Sequence, residues 1–136
     1  MWDINATLDY LQSNAQPAST RFCARYVREA LQAGKLPLTS HPLSAKDYGP
    51  TLRAAGFREI QLPQLLRAPV FQDSSLFMAG DVAVFEGLPD VGGGFEHGHI
   101  QIFDGDDWIS DFKQRGFCPA PQFNAGRYKV YRYRHF

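Results

Sequence analysis

The chain has 136 residues, 44% of them hydrophobic and 21% charged, and its 14 basic side chains balance its 14 acidic ones. This length suits one compact domain over residues 1–136, and the zero net charge disfavours a nucleic-acid-binding protein. Two cysteines cannot form a disulfide scaffold, no apolar run is long enough to span a membrane, and the N-terminus lacks signal-peptide features. We expect a protein made in the cytoplasm with no membrane or nucleic-acid partner.

The N-terminal part of the chain predicts helices. Apolar residues recur at helical spacing over residues 3–14, and the pattern returns after a proline-containing break. Ser19 or Thr20 can cap the second helix, which we expect to run to about residue 33. Gly34 stands where a helix stop is favoured.

The rest of the chain changes from helical to strand-like patterns. A third helix is predicted over residues 45–55, either kinked at Pro50 or beginning there. Residues 63–75 and the glycine-rich residues 88–96 predict loops. The predicted strands are residues 57–62, 82–85, 99–103, 108–112 and 128–134. Helices followed by an antiparallel sheet make an α+β fold.

Cys23 is predicted to lie in the first turn of the second helix, on the same face as Val27 and Ala30. Unpaired N–H groups and the helix dipole favour negative charge in that turn, and the thiolate is the nucleophilic form of cysteine. A lone cysteine on an apolar helix face is more often a small buried hydrophobe. The position of Cys23 therefore allows two interpretations, a nucleophile or a core residue.

A cysteine nucleophile needs a base, and the chain has four histidines. His41 lies in a proline-rich loop, and His135 is next to the C-terminus. His97 lies in a predicted loop, whereas His99 begins a strongly predicted strand and so has a rigid position. We therefore predict that His99 is the general base. The alternative is a histidine whose hydrogen bonds are simply satisfied at a strand end.

Asp111 is the candidate residue for orienting His99. It stands among apolar neighbours, where a buried carboxylate needs a partner. A three-residue hairpin loop over residues 104–106 would place Asp111 opposite His99. A four-residue loop over residues 104–107 would instead pair His99 with Phe112 and turn Asp111 to the other face of the sheet. Both registers are open, as is an aspartate that faces water from an edge strand.

Four segments, in chain order, resemble the CHAP-type and NlpC/P60-type cysteine peptidases. Phe22–Leu31 is similar to their nucleophile helix, Gly80–Phe85 to their Gly-Asp strand and Gly98–Phe103 to their Gly-His strand. Trp108–Phe112 resembles the strand with the third catalytic residue. The resemblance spans about residues 19–112 and implies a papain-like core of the NlpC/P60 type, in which N-terminal helices pack on an antiparallel sheet.

The resemblance also implies an activity, the hydrolysis of peptidoglycan amide bonds in stem peptides or cross-links, without a cofactor or metal. It carries over Cys23 as nucleophile, His99 as base and Asp111 as the third residue, although Asp, Asn, Glu, Gln and His all occur at that third position. The small size and the missing signal peptide resemble the antibacterial amidase effectors of type VI secretion. Such an effector acts in the periplasm or wall of a target bacterium. We therefore expect a monomer with two partners, the stem-peptide substrate and an inhibitory immunity protein.

Other functions fit parts of the same pattern. The chain could be a CHAP lysin domain of a phage, an acyl transferase, or a binding module of the same fold in which Cys23 is inert. His97 and His99 could hold a metal ion in a metal-dependent hydrolase, with Glu96 or Cys23 completing the ligands. Cys118 lies in a proline-rich stretch and is interpreted as structural or incidental.

Overall fold

The computed structural model describes residues 1–62, 74–90, 93, 95–114, 116–125 and 127–135. Within these residues, three α-helices and five strands form the α+β fold that the sequence predicts. The helices are α1 (Ile4–Asn14), α2 (Cys23–Ala33) and α3 (Tyr48–Ala54). The strands are β1 (Phe57–Ile60), β2 (Val82–Phe85), β3 (His99–Phe103), β4 (Trp108–Ile109) and β5 (Tyr128–Tyr133). Short 3₁₀ turns cover Ala45–Asp47, Ser74–Leu76, Phe95–His97 and Pro121–Ala125.

The five described strands form one sheet in the order β1-β5-β2-β3-β4, and every neighbouring pair is antiparallel. β3 lies between β2 and β4, and all five of its residues are buried. In the β2–β3 pair, Phe85 is opposite His99. In the β3–β4 pair, Phe103 is opposite Trp108.

The two faces of the sheet are covered differently. Helices α1 and α2 pack on each other, and α2 packs on β3, so one core lies between the helices and the sheet. Ile100 and Ile102 contribute to this core from β3. The second core is aromatic, and its members include Phe77, Phe85, Phe103, Trp108, Phe117 and Phe123. Aromatic side chains each bury a large area, which lets a small domain build a core on both faces.

A buried ion pair joins β5 to Asp81, the residue directly before β2 in the Gly-Asp segment of the sequence. Arg132 donates from Nε to Asp81 Oδ1 at 2.9 Å and from Nη2 to Asp81 Oδ2 at 2.8 Å. The carboxylate also accepts the backbone N–H of Met78 at 2.9 Å. Because Asp81 is fully buried, these bonds provide the partners that a buried carboxylate requires. Asp81 thus has a structural role, which ties two central strands together.

Several predicted boundaries are wrong by a few residues. The helix predicted from Ser19 or Thr20 begins at Cys23, and its N-cap residue Phe22 has no side-chain cap hydrogen bond. Gly34 is the C-cap residue, as predicted. The third predicted helix divides into a 3₁₀ turn and α3, with Pro50 in the first turn of α3.

Three strands are shorter than predicted: the strand expected over residues 57–62 ends at residue 60, that over residues 108–112 at residue 109, and that over residues 128–134 at residue 133. The predicted loop at residues 63–75 lies mostly outside the described residues, as do positions 91, 92 and 94 of the glycine-rich loop. No helix in the described part of the chain is both long and apolar enough to cross a membrane.

Candidate active site

A cavity of about 1020 Å³ opens where the start of α2 meets the start of β3. Cys23 and His99 both line it. Its rim includes Phe22 and Leu43, whose exposed fractions of 59% and 97% are high for large apolar side chains. The structure therefore brings the predicted nucleophile and the predicted base to the same cavity.

Cys23 is the first residue of α2, where helix N–H groups lack intrahelical acceptors. Burial is the main influence on its thiol and raises its pKa to about 11, assisted by the negative charge of Asp111. Backbone groups of Ile100, Ala24 and Cys23 itself oppose this shift by hydrogen bonding to the sulfur. At neutral pH the thiol is therefore protonated.

His99 is 6% exposed, and its ring packs edge-on against Phe85. Burial lowers the pKa of its imidazole to about 4, although hydrogen bonding to Gln114 and the charge of Asp111 act in the opposite direction. The imidazole is accordingly neutral at physiological pH. A neutral imidazole can accept a proton, as a general base must.

Gln114 is the hydrogen-bond partner of His99, with 2.8 Å between His99 Nε2 and Gln114 Oε1. The amide group of Gln114 is oriented by its other contacts. Its Nε2 donates to Gln101 Oε1 at 2.7 Å and to the carbonyls of Gly116 at 3.1 Å and Phe117 at 3.3 Å. Since Oε1 must then face His99, the proton lies on His99 Nε2. The lone pair available for base catalysis is therefore on Nδ1.

Asp111, the candidate residue for orienting His99, makes its hydrogen bonds with other residues. Its Oδ2 accepts the backbone N–H and the Oγ1–H of Thr20 at 2.5 and 2.8 Å, and its Oδ1 accepts Ser110 Oγ–H at 3.0 Å. The register with Phe103 opposite Trp108 corresponds to the four-residue loop over residues 104–107. The chain also leaves β4 at Ser110 and folds back, so that Gln114 N–H donates to the carbonyl of Trp108.

His99 thus donates its Nε2–H to Gln114 Oε1 and not to Asp111. Asp111 still acts on the site through its charge, which raises the pKa of both Cys23 and His99. It also holds Thr20, three residues before the candidate nucleophile. The carboxylate is 1% exposed and fully engaged by these donors.

The other histidines have different surroundings. His97 Nδ1 lies 2.8 Å from Ser44 Oγ, and its Nε2 is 3.6 Å from Glu96. His97 is exposed to solvent, whereas His99 is buried against Gln114. Among the described residues, no three His, Cys, Asp or Glu side chains form a group suited to holding a metal ion. The described residues therefore provide no ligand set for the metal site that the His97-x-His99 hypothesis requires.

Cys118 is separate from the site chemistry. Cys23 and Cys118 are both free thiols. Cys118 packs against the aromatic core, with its sulfur 4.0 Å from the carbonyl of Phe123. Burial raises the pKa of its thiol, and Cys118 does not line the cavity that Cys23 and His99 share, which fits a structural interpretation.

Sequence reasoning missed Gln101 and Gln114. The position of Gln101 could have been predicted, because strand alternation puts it on the same face as His99. The position of Gln114 could not have been predicted from a sequence pattern, since it depends on the chain reversal after β4. The contact between Gln101 and Gln114 beside His99 therefore emerges only from the structure.

The fold and the site define a small α+β protein with a helix-terminal thiol and a strand-borne imidazole on one cavity. It is similar to a chain of the native type VI effector–immunity complex Tae3–Tai3 from Ralstonia pickettii, with 42% identity, a TM-score of 0.75, and coverage of 98% of this chain and 99% of that one. A selenomethionine form of that complex matches with 42% identity, a TM-score of 0.72, and coverage of 93% and 98%. No protein-family profile and no curated protein matches. The chain belongs to the family of the type VI effector Tae3.

Proposed function

We propose that this protein is an antibacterial type VI effector that hydrolyses amide bonds in peptidoglycan stem peptides or cross-links. The observation that carries the proposal is the meeting of Cys23 and His99 on one cavity in a chain of the Tae3 family. A thiol, an imidazole and an orienting group are the parts that nucleophilic cleavage of an amide requires. The same proposal includes a papain-like core of the NlpC/P60 type.

In the proposed reaction the Cys23 sulfur attacks the carbonyl carbon of the scissile amide while His99 Nδ1 takes the thiol proton. Removing the proton during attack suits a cavity in which burial keeps both groups neutral. The tetrahedral intermediate collapses when the same imidazole protonates the leaving amine, and an S-acyl enzyme remains. Water, deprotonated by His99, then releases the carboxylic acid and restores the thiol.

Supporting groups have separate roles in this mechanism. Gln114 holds the imidazole in the Nε2–H tautomer, and the negative charge of Asp111 favours the imidazolium that forms during attack. The backbone N–H of Cys23, at the start of α2 where helix N–H groups lack intrahelical acceptors, can donate to the oxyanion. All of these groups belong to rigid or buried elements, which keeps their arrangement fixed before the substrate arrives.

The biological setting follows from the same proposal. As an effector, the protein would be delivered from the producing cell and act on the wall in the periplasm of a target bacterium. The producing cell would need protection by an immunity protein, and the similar structures are effector–immunity complexes. We expect the free effector to be a monomer.

The test is digestion of purified sacculi by wild-type protein, Cys23→Ala and Cys118→Ala, with fragments identified by mass spectrometry. We expect defined muropeptide fragments from the wild type and from Cys118→Ala, and none from Cys23→Ala. Cys118→Ala is the matched control because it removes the other thiol of the chain. Fragment masses would identify the bond that is cut.

Two outcomes would contradict the proposal in different ways. Equal fragment yields from wild type and Cys23→Ala would exclude cysteine catalysis while leaving a wall hydrolase. No fragments from folded wild-type protein would exclude hydrolysis of peptidoglycan and favour the binding module of the same fold.

A further inference from the structure

Arg21, two residues before Cys23, has a backbone conformation that arginine rarely adopts. Its φ is +69°, in the left-handed region where residues other than glycine are strained. Lys35 also has a positive φ, of +63°, but it directly follows the C-cap residue of α2, where left-handed residues are common. Arg21 precedes a helix, so the usual explanation does not apply to it.

The bend at Arg21 is held from both sides. Thr20 is fixed through its N–H and Oγ1–H to the buried carboxylate of Asp111. Arg21 N–H donates to Ser19 Oγ at 3.3 Å, and Phe22 N–H donates to Thr20 Oγ1 at 3.3 Å. Glycine would satisfy the same backbone at lower cost. The presence of arginine therefore indicates a use for its side chain.

Arg21 lines the cavity and makes no ion pair with any of the described residues. Arg25 is 2.9 Å from Glu29. Glu96, on the facing loop, lies 3.6 Å from His97, which forms an ion pair with it only when protonated. Of the two arginines on the cavity, Arg21 is thus the one without an acidic partner among the described residues.

We propose that Arg21 forms a carboxylate-binding subsite next to the scissile bond, and that the enzyme selects wall peptides with a free carboxylate there. The inference rests on the proposed function and specifies its substrate. The Cα atoms of Arg21 and Cys23 are at most about 7 Å apart, which places the subsite on the same part of the cavity wall as the nucleophile. A guanidinium matches a carboxylate with two parallel hydrogen bonds. Asp111 positions this subsite through Thr20.

The experiment compares muropeptides that have free carboxylates with the same muropeptides after conversion of those carboxylates to amides. We expect the wild type to cleave the free form with a kcat/KM about tenfold higher, since charge-assisted hydrogen bonds contribute on that scale. Arg21→Gly and Arg21→Gln should lose this preference, and Arg21→Lys should retain part of it. Arg58→Gln is the control, because Arg58 is an exposed arginine on β1 that does not line the cavity.

Arg21→Gly separates the side chain from the backbone, because glycine accepts the bend and should leave thermal stability equal or higher. A normal preference for the free carboxylate in Arg21→Gly would overturn the subsite.

A binding measurement distinguishes this failure from failure of the proposed function. If wild-type protein cuts neither muropeptide, the affinity of Cys23→Ala for each form is compared with that of the Cys23→Ala, Arg21→Gly double variant. Weaker binding of the free form alone to the double variant would support the subsite without hydrolysis. Equal affinities would overturn it.

Discussion

At the scale of single residues, the site is built on buried polar groups that satisfy one another. Gln114, 4% exposed, accepts from His99 and donates to Gln101 and to two backbone carbonyls. Ser110 Oγ also lies 3.2 Å from Gln114 Oε1. A network of this kind fixes the direction of each member, because any other orientation would leave a buried donor or acceptor without a partner. The orientation of the imidazole is therefore a property of the whole network.

We predict that Gln114→Ala lowers kcat about 100-fold or more while changing KM little, since the imidazole loses the group that fixes its tautomer. The variant also leaves the side chain of Gln101 without its amide donor, so unfolding free energy should fall by about 1–3 kcal/mol. Steady-state kinetics on muropeptides and urea denaturation measure the two effects.

Gln12→Ala is the control for this prediction, because Gln12 is an exposed glutamine bonded only at the surface, to Asp104. It should behave as wild type in both measurements. A Gln114→Ala variant that kept wild-type kcat would show that His99 is oriented by another group, and Asp111 would again be the first candidate.

At the scale of elements, β3 organises the site. Its residues alternate between the helix-side core, with Ile100 and Ile102, and the opposite face, with His99 and Gln101. The backbone of Ile100 hydrogen-bonds to the Cys23 sulfur, so β3 both contains His99 and contacts Cys23. The strand begins directly after Gly98, whose φ of +73° lies in the left-handed region that favours glycine.

Gly98→Ala should disturb this junction. A Cβ at this position would clash with the carbonyl oxygen of Phe85 and come within 2.9 Å of Lys46 Cβ. Phe85 is opposite His99 in the β2–β3 pair, so relief of the clash would move the base. We expect a loss of about 3 kcal/mol, or roughly 10 °C in melting temperature, and reduced activity in the remaining folded protein.

Gly116→Ala provides the comparison, because a Cβ there would meet no atom within 4 Å. Calorimetry should find it close to wild type. A Gly98→Ala variant as stable and active as Gly116→Ala would mean that the β2–β3 junction tolerates the added group and does not define the position of His99.

At the scale of the whole molecule, the sequence predicts what depends on local pattern. The position of His99 at a strand start follows from the alternation signal, and the α+β order follows from the change of period along the chain. Cys23 lies in the first turn of its helix, as predicted, although neither of the predicted cap residues is the N-cap. The partner of His99 could not be predicted, because Gln114 reaches it only after the chain reversal that follows β4. The bend at Arg21 depends on a contact between Thr20 and Asp111, 91 residues apart, and no local pattern reports such a contact.

The buried imidazole also links the site to the stability of the fold. In the unfolded chain His99 has its ordinary pKa of 6.5, whereas burial lowers the folded value to about 4. Between these pH values the unfolded state binds more protons, so stability is fully present above pH 6.5 and is lost as the pH falls toward 4. A shift of this size corresponds to about 3 kcal/mol.

We therefore predict that the unfolding free energy of the wild type falls by about 3 kcal/mol more than that of His99→Gln between pH 7 and pH 4. Glutamine keeps an N–H donor for Gln114 but does not titrate. His41→Gln, which removes an exposed histidine bonded to Gln32, should follow the wild-type curve. Urea denaturation at a series of pH values measures all three proteins. If the wild-type and His99→Gln curves run parallel, His99 is not held neutral by burial, and an imidazolium paired with a Cys23 thiolate would replace the neutral pair as the resting state of the site.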